Sequence, residues 1–179
     1  MRLIATEYLS MDGVFEEPGH WSGPWFKEEA SKFKWDELRS SDALLLGRHT
    51  YEGFAAAWPK MTGTGEFGEK MNSMPKYVVS STLKNPEWNG SKVIKGNVAK
   101  EVRRLKQMPG QDLVLAGSGQ LFNALAQENL IDLYRFMVHP VILGKGRRLF
   151  ADGVGTKNLE LTDTRRFATG IVILEYHPA

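Results

Sequence analysis

An α/β fold built on a central mixed sheet is the architecture this sequence predicts, and three observations predict it. Asp42–Gly47 (DALLLG) and Asp112–Ala116 (DLVLA) are short apolar runs of the kind that fill strands covered on both faces. Strand-like and helix-like stretches alternate through residue 143, as expected of parallel strands joined by crossover helices. The last two apolar stretches follow one another with no helix between them, which places an antiparallel edge at the C-terminal end. The count is about eight strands and about four flanking helices in a single domain, residues 1–179.

The elements follow in order. Arg2–Ser10 reads as the first strand. Residues 11–24 carry Gly13, Gly19 and Gly23 with Pro18 and Pro24, and form a long loop of the functional or mobile kind. Residues 25–40 are helical, with Phe26, Ala30 and Phe33 on one face. The strand Asp42–Gly47 leads into a short helix over Tyr51–Ala57, with Thr50 as its candidate N-cap. Residues 60–74, rich in glycine and small polar side chains, read as an irregular excursion. Lys76–Ser80 and Lys92–Ile94 are strands. Val98, Val102 and Leu105 mark a helix capped by Asn97 and ended by Pro109-Gly110. After Asp112–Ala116, Gly117-Ser118-Gly119 turns into a helix over residues 120–129. A long strand at 132–143 precedes a closing hairpin of 158–162 and 170–176.

Composition narrows the function. The 179 residues contain no cysteine, which excludes disulfides, thiolate metal sites and cysteine nucleophiles. The 23 basic and 21 acidic residues nearly balance at a net charge of +2, against a general nucleic-acid binder. No apolar run reaches the roughly 18 residues of a membrane span. Glu7 comes too early for a secretory leader, so the expected location is cytoplasmic. No paired-histidine or other metal-ligand spacing appears, and no metal is expected.

Open α/β sheets bind ligands where strands end and helices begin. Three such junctions carry suitable residues. Gly47-Arg48-His49-Thr50 offers a close-approach glycine, a forked cation and free amides at a helix start. Gly117-Ser118-Gly119-Gln120-Leu121 places two glycines at another helix start, short of a full dinucleotide fingerprint because residue 122 is Phe. Ser80 and Ser81 put hydroxyls at a third strand end. Each alone is equally a polar turn. Together they describe an extended phosphorylated ligand lying across the strand ends. The basic turn Gly144–Arg148 either meets a substrate phosphate or is simply solvated, His20 reads as a solvated loop histidine, and His139 reads as structural.

The order SMDG (10–13), LLLGRHTYE (44–52), YVVSS (77–81), LAGSGQLF (115–122) and HPVILGKGRRLF (139–150) resembles the dihydrofolate reductase superfamily. It is most similar to the branch holding the reductase domain of the riboflavin-biosynthesis deaminase–reductase, the RibD C-terminal domain, and its stand-alone relatives. The resemblance implies a dihydrofolate reductase-like three-layer sandwich and an NADPH-dependent oxidoreductase. By the same resemblance Gly47, Arg48, His49 and Thr50 hold cofactor phosphates, and Ser80 and Ser81 lie near the adenosine 2′-phosphate. Gly117, Ser118, Gly119, Gln120 and Leu121 wrap the pyrophosphate. Ala5 and Thr6 approach the nicotinamide, and Asp12 and Gly13 open a mobile lid over it.

One departure is informative. Dihydrofolate reductases carry a carboxylate on the first helix, and counting back from Gly47 without a gap puts Ser31 there. Glu28, Ser31 and Trp35 share a helix face opposite the Phe26–Ala30–Phe33 stripe. They are the candidate catalytic residues: Trp35 to stack on a flat heterocycle, Glu28 to contact its nitrogens or deliver a proton. The alternative is a Glu28–Lys32 surface pair and a core Trp35. The favoured activity is reduction of 5-amino-6-(5-phosphoribosylamino)uracil by a homodimer. The alternatives are a dihydrofolate reductase, another small-molecule reductase of the fold, or a non-catalytic nucleotide-sensing domain.

Overall fold

A computed structural model describes all 179 residues. Eight strands form one sheet: β1 (Arg2–Ser10), β2 (Ser41–Gly47), β3 (Lys76–Val79), β4 (Ser91–Ile94), β5 (Asp112–Ala116), β6 (Leu133–His139), β7 (Leu159–Arg166) and β8 (Val172–Pro178). Their order is β4-β3-β2-β5-β1-β6-β8-β7. The first six run parallel, and β8 and β7 add an antiparallel edge. Six helices accompany them: α1 (Pro18–Trp21), α2 (Glu28–Arg39), α3 (Arg48–Ala57), α4 (Gly65–Ser73), α5 (Val98–Lys106) and α6 (Gly119–Gln127). None is long and apolar enough to cross a membrane.

Side chains alternate across the sheet, so each strand feeds two layers. Leu3, Ala5, Leu113 and Leu115 pack with Val102 and Leu105 of α5 and with Phe122 and Leu125 of α6. The opposite face has two separate apolar clusters. One lies over β2, β3 and β5 and joins Leu44, Leu46 and Val114 to Tyr51 of α3 and Met71 of α4. The other lies over β6 and β8 and joins Met137 and Ile173 to Ala30 and Phe33 of α2. β1 runs between the two clusters, because its neighbours are β5 and β6.

Several boundaries differ from the sequence reading, each for a physical reason. The excursion at 60–74 holds α4, whose Phe67 packs on Trp58 and Trp35; tertiary burial makes this glycine-containing segment helical. Buried Lys76 then fixes the end of α4, donating to the Asn72 and Asn89 carbonyls beside the Trp88 ring. Helix α2 begins at Glu28, since Phe26 belongs to the preceding turn, yet Phe26 still packs against the Ala30–Phe33 cluster. Gly47, not Thr50, is the N-cap of α3. Asn97 does cap α5, accepting from the Lys100 amide. Strand β6 stops at His139, because Pro140 lacks an N–H for the ladder.

The segment after β6 is strapped to the loop after β1. The Asp12 carboxylate accepts from the Leu143 and Gly144 amides and from Ser10 Oγ. Leu149 N–H donates to the Gly13 carbonyl, Phe15 N–H to the Arg147 carbonyl, and Arg148 Nε to the Asp12 carbonyl. Arg147 is paired with Glu16. So Asp12 and Gly13, the expected start of a mobile lid, are tied to residues 143–149, and the basic turn spends its arginines on the same strap.

These hydrogen bonds hold the Asp12 pKa down to about 2, below the ordinary 3.8. A depressed carboxyl contributes stability above its unfolded value and loses it as pH falls through the folded one. Asp12→Ala should therefore lower the melting temperature at neutral pH, with the gap closing as pH approaches about 2. Amide exchange at Leu143 and Gly144 should accelerate in the same variant.

Candidate functional site

The six parallel strands end at one edge of the sheet, and the ends of neighbouring β2 and β5 build a joint there. Gly117 and Ser118 are both left-handed, at φ of 57° and 61°. For a serine that conformation costs about 1–3 kcal/mol. Its hydroxyl offsets the cost. Gly47 N–H donates to Ser118 Oγ at 2.8 Å, and Oγ lies 2.9 Å from Thr50 Oγ1 and 3.2 Å from the Ala116 carbonyl, sharing its one proton between them. A Cβ on Gly47 would sit 3.3 Å from the Ser118 side chain, and one on Gly117 would sit 3.1 Å from Thr50 Oγ1. The two glycine segments singled out from the sequence are thus one structure.

Helices α3 and α6 begin side by side at this joint, and neither has a side-chain cap on its first turn. Their first amides are unpaired donors at the positive ends of two helix dipoles, a combination suited to phosphate oxygens. Arg48 opens α3 and pairs with exposed Glu52 at 3.0 Å, a partner that an incoming phosphate displaces at little cost. His49 Nε2 lies 3.5 Å from the Arg48 guanidinium. Gln120 is exposed on the first turn of α6, whereas Leu121 is buried in the core beneath it. At the end of β3 the Ser80 hydroxyl accepts from the Thr82 and Leu83 amides of its own turn, and Ser81 is exposed beside it. Glycine at 47 and 117 lets this joint close, since a Cβ at either position would press on the joint's own hydroxyl-bearing side chains. No group of three or more His, Asp or Glu is placed to hold a metal ion.

The β1 candidates separate. Ala5 is buried against the α5–α6 layer, while Thr6 faces α2 and accepts a hydrogen bond from Lys34 Nζ at 3.2 Å. Glu28 and Ser31 are exposed and make no side-chain hydrogen bond, and Lys32 pairs with Asp36. Trp35 packs on Phe67 of α4, at the edge of the cluster over β2, β3 and β5. The α2 face turned to the sheet carries Ala30, Phe33, Lys34 and Glu37.

Three groups, Glu37, Glu7 and Phe15, escaped the sequence reading, and a fourth, His139, read there as structural, is buried as a structural residue would be. Glu37 is buried and ionised between Lys34 and Arg135, and Arg135 also binds Glu175 at 2.7 Å. Burial raises the Glu37 pKa, but the two cations outweigh that and leave it below its ordinary value. Glu7 sits in β1 on the α6 side, fully buried, with Oε1 unpartnered. Burial pushes its pKa well up, against smaller opposing effects of Lys34 and the Gly117 N–H. Phe15 lies across Gly119, with a ring carbon 2.3 Å from where a Cβ would stand. His139 is buried among Tyr8, Trp21 and Trp25, its ring 5.1 Å from that of Trp21, and burial lowers its pKa. Only Glu7 left a signal in the sequence, as a carboxylate inside an apolar strand.

Comparison with known proteins gives the family. The RibD C-terminal domain family matches residues 2–173. The chain is 32% identical over 179 residues to YyaP of Bacillus subtilis (strain 168), an uncharacterized protein, covering 98% of this chain and 94% of that one. A protein from Shewanella sp. PV-4 named for riboflavin biosynthesis superposes with a TM-score of 0.78 at 18% identity, over 100% of this chain and 99% of that one. Dihydrofolate reductase from Enterococcus faecalis, complexed with NADP(H), superposes with a TM-score of 0.63 at 15% identity, over 99% and 96%.

A raised carboxyl keeps its proton on folding, so Glu7 makes stability fall as pH rises above the ordinary value of 4.5. Glu7→Gln should raise the melting temperature at neutral pH and leave it nearly unchanged below that value, as thermal melts across the range would show.

Proposed function

The chain belongs to the RibD C-terminal domain family, and from that premise we propose that it is an NADPH-dependent reductase of small heterocyclic or ribosyl substrates. Its activity is of the 5-amino-6-(5-phosphoribosylamino)uracil reductase type. The observation that carries this reading is the pair of uncapped helix starts, α3 and α6, joined through Ser118. Their amides and Arg48 hold the pyrophosphate, and exposed Ser81 at the end of β3 is offered to the 2′-phosphate. When bound, the cofactor supplies a hydride to a C=N or C=O carbon. The chain's own part is to hold the substrate against β1 and keep water out, with the strapped loop and its aromatic residues forming the cover. An ordered water delivers the proton, because Glu28 stands exposed to solvent. A cytoplasmic homodimer completes the proposal.

Dihydrofolate is the weaker substrate on this geometry. The α2 carboxylate nearest β1 is Glu37, and two cations already occupy it. A nucleotide sensor without catalysis shares the same cradle and differs only in transferring no hydride.

Titration with NADPH and separately with NADH, followed through the five tryptophans, tests the proposal. Saturable NADPH binding is expected, about tenfold weaker in Arg48→Ala, the ratio that one charge-assisted hydrogen bond supplies. An absence of binding at millimolar cofactor would remove the reductase reading.

A further inference from the structure

The strands β6, β8 and β7 at the antiparallel end of the sheet are apolar on both faces, and only one face is covered. On the α2 side Met137 and Ile173 are buried against Ala30 and Phe33. The opposite face carries Phe136 and Val138 of β6, Val172, Leu174 and Tyr176 of β8, and Leu161 of β7. The registers set them side by side: Val138 by Val172, Phe136 by Leu174, Tyr176 by Leu161. Helix α6 covers this face as far as β6, where Phe122 packs on Tyr134 and Phe136. Beyond β6 the three β8 side chains stay half-buried and Leu161 is 50% exposed. Phe150 touches the rings of Phe122 and Phe136 and is still 52% exposed. Four of the five exposed large apolar side chains, Met11, Ile142, Phe150 and Leu161, lie in or just after β1, β6 and β7, so the exposure is gathered at this end of the sheet. A gathered apolar area marks an interaction surface, where scattered exposed residues would not.

The occupant follows from shape and charge. The outer edge of β7 is a poor place for strand addition, because a bulge between Leu161 and Asp163 breaks its register and the Asp163–Arg165 pair sits on it. The open surface is therefore the face. A sheet face is met over its whole width by another sheet, the inner side chains of the two interdigitating. Glu160 and Arg166 stand near the two ends of β7, roughly 20 Å apart at the strand rise. Both are exposed, and neither is paired within the chain. When two copies meet face to face with their β7 strands antiparallel, Glu160 of each copy comes to Arg166 of the other. A two-fold axis makes both pairs at once, so a copy of this chain supplies the apolar face and the matching charges together.

We propose that the open face of β6, β8 and β7 is an isologous interface with a second copy of this chain, packed sheet on sheet, with Leu161 and Phe150 inside the contact and Glu160–Arg166 pairs at its two ends. The inference rests on the proposed function for the dimeric state alone, and it assigns the face that makes the dimer. It depends on neither cofactor nor substrate.

Sedimentation velocity on the full chain over a concentration series makes the test. A dimer is expected at micromolar concentration. Leu161→Glu, which sets a charge inside the apolar contact, should raise the dissociation constant about tenfold or more. Glu160→Arg and Arg166→Glu should each raise it about tenfold, since each sets like charges together at both ends of the contact. The double variant Glu160→Arg/Arg166→Glu should recover most of the loss, because the exchange rebuilds both pairs. A chain that is monomeric throughout the series, a dimer indifferent to Leu161→Glu, or charge reversals that do not rescue each other would overturn the proposal. All three positions are exposed in the single chain, and thermal melts check that each variant is folded. Should Leu161→Glu fail to fold, the charge-reversal set still decides. NADPH titration of the same samples separates the two readings. Cofactor binding by a monomer, or by a dimer that these variants leave intact, sinks this inference alone. A dimer that responds as expected but binds no cofactor sinks the reductase reading alone.

Discussion

The joint made by Ser118 is the constraint on which the functional edge depends. Its hydroxyl accepts from the Gly47 amide and bonds on to Thr50, so the end of β2, the start of α3 and the turn into α6 share one oxygen. The left-handed backbone at Gly117 and Ser118 is what brings that oxygen across to β2. A serine tolerates the conformation because its side chain finds partners there that an alanine lacks. With the joint in place, the starts of α3 and α6 lie next to each other at the same edge of the sheet.

Around that joint the fold distributes charge unevenly. On the α6 side a single carboxyl, Glu7, is fully buried, and that burial pushes its pKa well up against a smaller opposing effect of Lys34. On the α2 side four charges are buried or half-buried in alternation, and each depends on its neighbours. Such networks add little net stability, since desolvation cancels much of the attraction, but removal of one member leaves the others exposed to a penalty of about 3–5 kcal/mol. Their consequence here is orientation. The Lys34 ammonium is held at a fixed point over β1, where a mobile surface lysine would sample many positions.

The loop after β1 illustrates how two anchors make a cover out of a glycine-rich segment. Its first half is tied by Asp12, Gly13 and Phe15 to residues 143–149. Its second half docks Trp21 and Trp25 on His139 at the end of β6, and Trp21 Nε1 donates back to the Glu16 carbonyl. Between them Phe15 rests on Gly119 at the start of α6. Phe15 thus stands over the first turn of α6.

The sequence by itself determined the strands and the two glycine turns, because apolar runs of strand length and left-handed glycines are local signals that survive without tertiary context. Asn97 as a cap and the closing hairpin were legible for the same reason. Only the tertiary structure decided the rest. Helix α4 exists because Phe67 finds Trp58 and Trp35, residues that no local window brings together. The face of α2 turned to the sheet carries Lys34 and Glu37, while Glu28 and Ser31 look outward, because the helix starts later than its composition suggests and buries Phe33 over β6 and β8. Asp12, expected at a moving lid, is held by amides about 130 residues away in sequence. Periodicity reports which residues share a face. Which partner that face meets is set by packing between distant segments, and the chemistry of this site lies in those meetings.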